Sequence, residues 1–136
     1  MKKFLFLMLL ILIGIQFIPV EQVNPPVQQE MEMPANVRDV IQRACYDCHS
    51  NKTEWKWYYK VAPISFLISY DVNEGREHLN FTEWNDYSPR TYKIKDEIWQ
   101  EVLNERMPPY LYRVINPKGK LSEDDKKILR EWANLR

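Results

Sequence analysis

The stretch Cys45-Tyr46-Asp47-Cys48-His49 constrains this chain most, because it holds both of its cysteines and one of its two histidines. Side chains three apart on a helical turn share a face. Both sulfurs can therefore reach one edge of a flat ligand, and the next residue projects toward its centre. A C-x-x-C-H sequence is the attachment signature of c-type haem. In that chemistry each thiol adds across a vinyl group on the same macrocycle edge, and the histidine supplies an axial nitrogen. The expectation is one covalent haem on Cys45 and Cys48 with His49 as proximal iron ligand. The rival readings are weaker. No βαβ pattern surrounds the pair, as a thioredoxin-like redox site would require. A structural zinc needs a second ligand pair at similar spacing, and only His78 remains. A Cys45–Cys48 disulfide closes too short a loop to constrain much.

The N-terminus reads Met1-Lys2-Lys3 and then an apolar run, Phe4 to Val20, interrupted by Gln16. Lysines before an apolar stretch form an export signal. No Ala occurs in residues 1–34, so an A-x-A-like cleavage site is missing. The run sits at the short end of the ~17–25 residues that cross a bilayer. It is expected to stay as an anchor with the lysines inside, the alternative being a cleaved signal and an exported soluble domain. Either way the C-x-x-C-H faces the periplasm or exterior, where c-type haem is attached. Residues 21–35 are polar and carry three prolines, which reads as a linker. Residues 36–136 are then one small domain. Nineteen basic and nineteen acidic residues cancel, so nothing points to nucleic acid.

Periodicity makes that domain all-α, with about four helices. The first, from Asn36 to Cys48, places Val37, Val40, Ile41 and Ala44 on one face. Residues 50–60 alternate polar and aromatic side chains and read as an extended loop, with Trp55, Trp57, Tyr58 and Tyr59 available to cover a macrocycle or simply to pack. The second helix, Pro63 to His78, carries a stripe of Ile64, Leu67, Ile68 and Val72, with Gly75 weakening or ending it. The third begins at Ser88-Pro89 and stops at Met107-Pro108-Pro109. Residues 110–120 read as a loop with a turn at Asn116-Pro117-Lys118-Gly119. The last starts at Ser122, with Glu123, Asp124 and Asp125 suiting its dipole. Asn51-Lys52-Thr53 and Asn80-Phe81-Thr82 match the glycosylation acceptor pattern, which short matches often do by chance.

A haem held by one histidine leaves the second axial position to decide function. Met107 is the leading candidate, since a thioether ahead of two prolines sits on stiff backbone. The plain alternative is a packing methionine. His78 is the rival, and bis-His ligation would lower the reduction potential. Met31 and Met33 are remote candidates on the linker.

Cys45-Tyr-Asp-Cys-His-Ser50, Trp55-Lys-Trp57-Tyr58, Ala62-Pro63, Glu74-Gly-Arg-Glu-His-Leu-Asn-Phe81 with Trp84, Met107-Pro-Pro109 and Leu121-Ser122 together carry a resemblance. The chain resembles the small haem-binding domain family of bacterial membrane-anchored or periplasmic proteins, a c-type-cytochrome-like group. The resemblance covers most of residues 37–135. It implies a cytochrome-c-like helical domain, haem on Cys45 and Cys48, His49 proximal and Met107 distal. It says little about redox partner proteins.

Electron transfer at the outer side of the cytoplasmic membrane is the function expected, with the cofactor supplying the redox chemistry. A non-enzyme module is favoured over an enzyme. The alternative is a haem-based sensor or peroxidase-like enzyme with an open distal site, motivated by the polar group Arg76, Glu77 and His78.

Overall fold

The computed structural model describes residues 1–135 and, of Asp86 and Ser88, the backbone. The expected domain ended at residue 136, which lies outside the described residues. Seven α-helices are present among them: α1 (Lys2–Gly14), α2 (Ala35–Ala44), α3 (Tyr46–His49), α4 (Ile64–His78), α5 (Thr91–Leu103), α6 (Tyr110–Ile115) and α7 (Glu123–Asn134). No strand occurs among the described residues, only an isolated parallel bridge between Gln29 and Glu83. The protein is all-α.

The main core joins α2, α5 and α7. Val37, Val40, Ile41 and Ala44 meet Ile94 and Val102 of α5 and Leu129 and Trp132 of α7, with Phe81 and Trp84 between them. These are the apolar stripes that helical periodicity marks out. Ser122 caps α7 in a capping box with Asp125. The pair satisfies two otherwise orphaned backbone donors. Arg43, at the end of α2, ties this unit to the chain before α7 by hydrogen bonds to the Lys118 and Lys120 carbonyls and a 2.8 Å ion pair with Asp125. A second, smaller cluster of Tyr59, Ile68 and Val72 fills the space between α4 and the 3₁₀ turn Trp57–Lys60.

Four expectations change. The first helix is broken at Cys45, whose φ of −124° takes it out of helical geometry, so the C-x-x-C-H forms its own turn. Residues 110–115 are a helix rather than a loop. The third helix ends at Leu103, short of Met107, and its Ser88-Pro89 start is a 3₁₀ turn that leads into the α-helix at Thr91. Residues 21–35, read as a linker, carry ordered contacts. Met31 and Met33 are buried in the core, and the backbone N–H groups of Gln28, Gln29 and Met31 donate to the carbonyls of Thr82, Thr82 and Phe81. Proline-rich and polar composition suggested a spacer, but its two methionines have apolar side chains to bury.

α1 is apolar, and none of its residues is buried. No helix among the described residues is long and apolar enough to cross a membrane by itself.

Candidate functional site

The turn Cys45–His49 is held by its own first carbonyl, which accepts from the N–H groups of Cys48 at 3.2 Å and His49 at 2.9 Å. Its middle residue fixes it to neighbouring segments. Asp47 accepts from the Glu54 N–H at 3.1 Å and from the Tyr112 hydroxyl at 2.9 Å, and Thr53 donates to the Asp47 carbonyl. The Asn116 amide donates in turn to Tyr112 at 2.6 Å. The turn is therefore pinned to α6 on one side and to the following loop on the other.

Helix α4 lies against the same turn at close range. Gly75 is buried inside it, and a Cβ there would sit 2.5 Å from the Cys48 carbonyl oxygen. No side chain fits such an approach. α4 ends at His78 as expected, and Gly75, read as a weak point of the helix, serves as the contact point.

That approach delivers two backbone acceptors to His49. Its Nδ1 lies 2.8 Å from the Gly75 carbonyl oxygen and 3.0 Å from that of Leu79. Carbonyls only accept, so Nδ1 carries the proton and Nε2 keeps its lone pair. Burial pushes the His49 pKa down, which keeps the ring neutral. A neutral imidazole oriented through its other nitrogen is how metal-ligating histidines are held.

Both cysteines are free, and burial pushes their pKa values up to about 12. Burial favours the neutral thiol of each. No group of three or more His, Cys, Asp or Glu among the described residues is arranged to hold a metal ion.

Cys45, Cys48 and His49 face a cavity of about 660 Å³, which also reaches His78 and Met107. The motif residues and both main candidates for the second axial position therefore share one site. Met31 and Met33 lie in the core instead, and neither lines it. Ile94, Ile98 and Val102 of α5 form the apolar wall, Phe81 and Tyr112 the aromatic part, and Asp71, Glu74, Glu97 and Glu101 are acidic members of the lining. The aromatic loop does not contribute. Trp55, Trp57, Tyr58 and Tyr59 are absent from the lining; Tyr59 is buried in the second cluster, and Trp55 donates to the Asn24 side chain. Of the two roles open to these aromatics, Tyr58 and Tyr59 take the packing one, with Ile68 and Val72 of α4, and Trp57 is exposed.

Met107 reaches the cavity through a specific turn. Glu105 adopts φ 56°, a left-handed conformation common after a helix end. The chain folds back, and the Arg106 and Met107 N–H groups both donate to the Glu101 carbonyl, at 3.0 and 3.2 Å. Arg106 also grips the Glu101 carboxylate with two bonds of 2.6 and 2.7 Å. Met107 remains 37% exposed.

Arg76 is turned elsewhere. Its guanidinium donates to Ser50, Val23, Asn24 and Thr53 at 2.8–2.9 Å, and it does not line the cavity. It staples residues 23–24 and the loop after His49 onto α4. The glycosylation patterns are likewise structural. Asn51 and Asn80 are buried and bonded to each other at 2.8 Å.

Sequence reasoning missed Asp47, Tyr112 and the acceptor role of Gly75 and Leu79. A glycine inside the helical pattern, ahead of its end, was the one local sign near the last two.

Apolar walls, two neutral thiols on one turn and an imidazole with a free Nε2 suit a flat apolar macrocycle with an iron centre. The volume is within the ~300–1,000 Å³ of cofactor and ligand pockets. No curated protein and no solved structure matches the chain. The family model of the haem-binding domain matches residues 10–135, and the chain belongs to that haem-binding domain family.

Proposed function

We propose that the protein is a monohaem electron-transfer module of c type, tethered at the outer side of the cytoplasmic membrane by its N-terminal apolar segment. Cys45 and Cys48 would hold the haem as thioethers, and His49, through Nε2, and Met107 would be its iron ligands. When bound, the haem supplies reversible one-electron chemistry at its iron. The observation that carries the reading is the convergence of both thiols, His49 and Met107 on one cavity.

The residues divide the work. The Gly75 and Leu79 carbonyls fix the orientation of His49 and increase its electron donation. Ile94, Ile98 and Val102 exclude water. Met107 suits the distal position better than His78 because of where each backbone lies. His78 lies on α4 between Gly75 and Leu79, whose carbonyls back the His49 imidazole. Met107 stands on a different segment, the α5–α6 connection, and would approach the group independently of α4. Of the polar group behind the sensor or peroxidase-like alternative, Arg76 is committed to backbone and loop contacts, which leaves His78 as its member in the cavity.

Covalent attachment is tested by expressing the chain with a cytochrome c maturation system. Haem should stay with the polypeptide after denaturation and be lost when Cys45 and Cys48 are both replaced by Ala. Haem that dissociates from denatured wild type would refute thioether linkage.

A further inference from the structure

The end of α1 is bonded to the domain rather than left on a tether. The Gln16 side chain accepts from the Ala62 N–H at 3.0 Å and donates to the Ala62 carbonyl at 3.1 Å. Gln22 donates to the Tyr59 carbonyl. Ile15, Ile18, Lys60, Ala62 and Ser65 enclose one small pocket at this junction. Beside it the domain exposes an apolar corner. Trp57 is 78% exposed, and Val61, Ile64, Leu67 and Tyr70 are also exposed. The last three recur every third residue along α4, so they form one stripe. Ala62, bonded to Gln16, lies in the chain between Val61 and Ile64 of this corner.

Length supports the same conclusion. The thirteen residues of α1 rise about 20 Å. The 3₁₀ turn Ile15–Phe17 adds about 6 Å. The sum falls short of the ~30 Å hydrocarbon core. A short apolar segment draws its flanking residues into the interface, and here those residues are fixed to the domain.

We infer that the domain sits on the phospholipid bilayer by the face Trp57, Val61, Ile64 and Leu67, with Trp57 at headgroup level, where tryptophan collects, and Lys60 beside anionic headgroups. This rests on the membrane reading of α1 given above. Docking would hold the domain in one orientation on the membrane.

The full holo-chain in vesicles of zwitterionic and anionic phospholipid, with a lipid-soluble carbene-generating probe in the bilayer, tests it. Photolabel should appear in α1 and in the 57–70 segment, severalfold above the α7 peptide, and Leu67→Glu should lower the 57–70 label while leaving α1 labelled. Label confined to α1 overturns the docking face and leaves the anchor reading intact. Absence of label from α1 overturns both. Cross-linking between copies through Leu67, with that segment unlabelled, would assign the face to self-association and also overturn the proposal.

Discussion

On one side of the cavity, Cys45–His49 and α4 meet backbone to backbone, with Gly75 against Cys48 and two carbonyls on the His49 ring. Elsewhere in the lining, Met107 stands on a turn whose supports are a left-handed Glu105 and an exposed Arg106–Glu101 pair. The first wall is over-determined: moving any of its parts breaks a buried contact. The second is held locally and is open to solvent. Surface ion pairs of that kind contribute only ~0–1 kcal/mol. The contrast separates two properties of the site. On the function proposed above, holding the haem would depend on the buried wall, and the nature of the second iron ligand on the exposed one. The second can change with little consequence for folding.

The sharpest way to break this contrast is Gly75→Ala. Overpacking costs ~1–3 kcal/mol, and the better helix propensity of Ala returns at most ~1 kcal/mol. A net loss of unfolding free energy is expected by chemical denaturation, together with less haem per polypeptide. A more stable variant would mean that α4 does not approach the turn so closely. Tyr112→Phe should have the smaller effect. It removes the bonds that Tyr112 makes with Asp47 and Asn116, at about 1 kcal/mol, while its ring still lines the cavity. The expected signature is lower stability with an unchanged haem content. Burial, reinforced by Asp47, pushes the Tyr112 pKa up, so this hydroxyl remains a donor across the accessible pH range.

The buried wall was half legible in the sequence. C-x-x-C-H is a local pattern with its own chemistry, and α4 and α7 followed from periodicity and from capping at Ser122. What could not be read was long-range. Gly75 looked like a weak point in a helix because its partner, the Cys48 carbonyl, lies 27 positions earlier. Residues 21–35 looked like a tether because composition does not disclose that Met31 meets Phe81 across fifty residues. The break at Cys45 was hidden for a related reason: the apolar stripe of α2 runs into the motif without interruption, and only the tertiary position of the turn bends it. At the exposed wall the reverse held. Met107 was legible because the prolines mark its segment, whereas the Glu105 turn that aims it carries no glycine to announce it.

The most direct test of the account is the red-end iron–sulfur charge-transfer band of the oxidised protein, compared among wild type, Met107→Ala and His78→Ala. The account predicts the band in wild type and in His78→Ala, and its loss in Met107→Ala with folding intact. A band that survives Met107→Ala, or is missing from wild type, would contradict Met107 as the distal ligand.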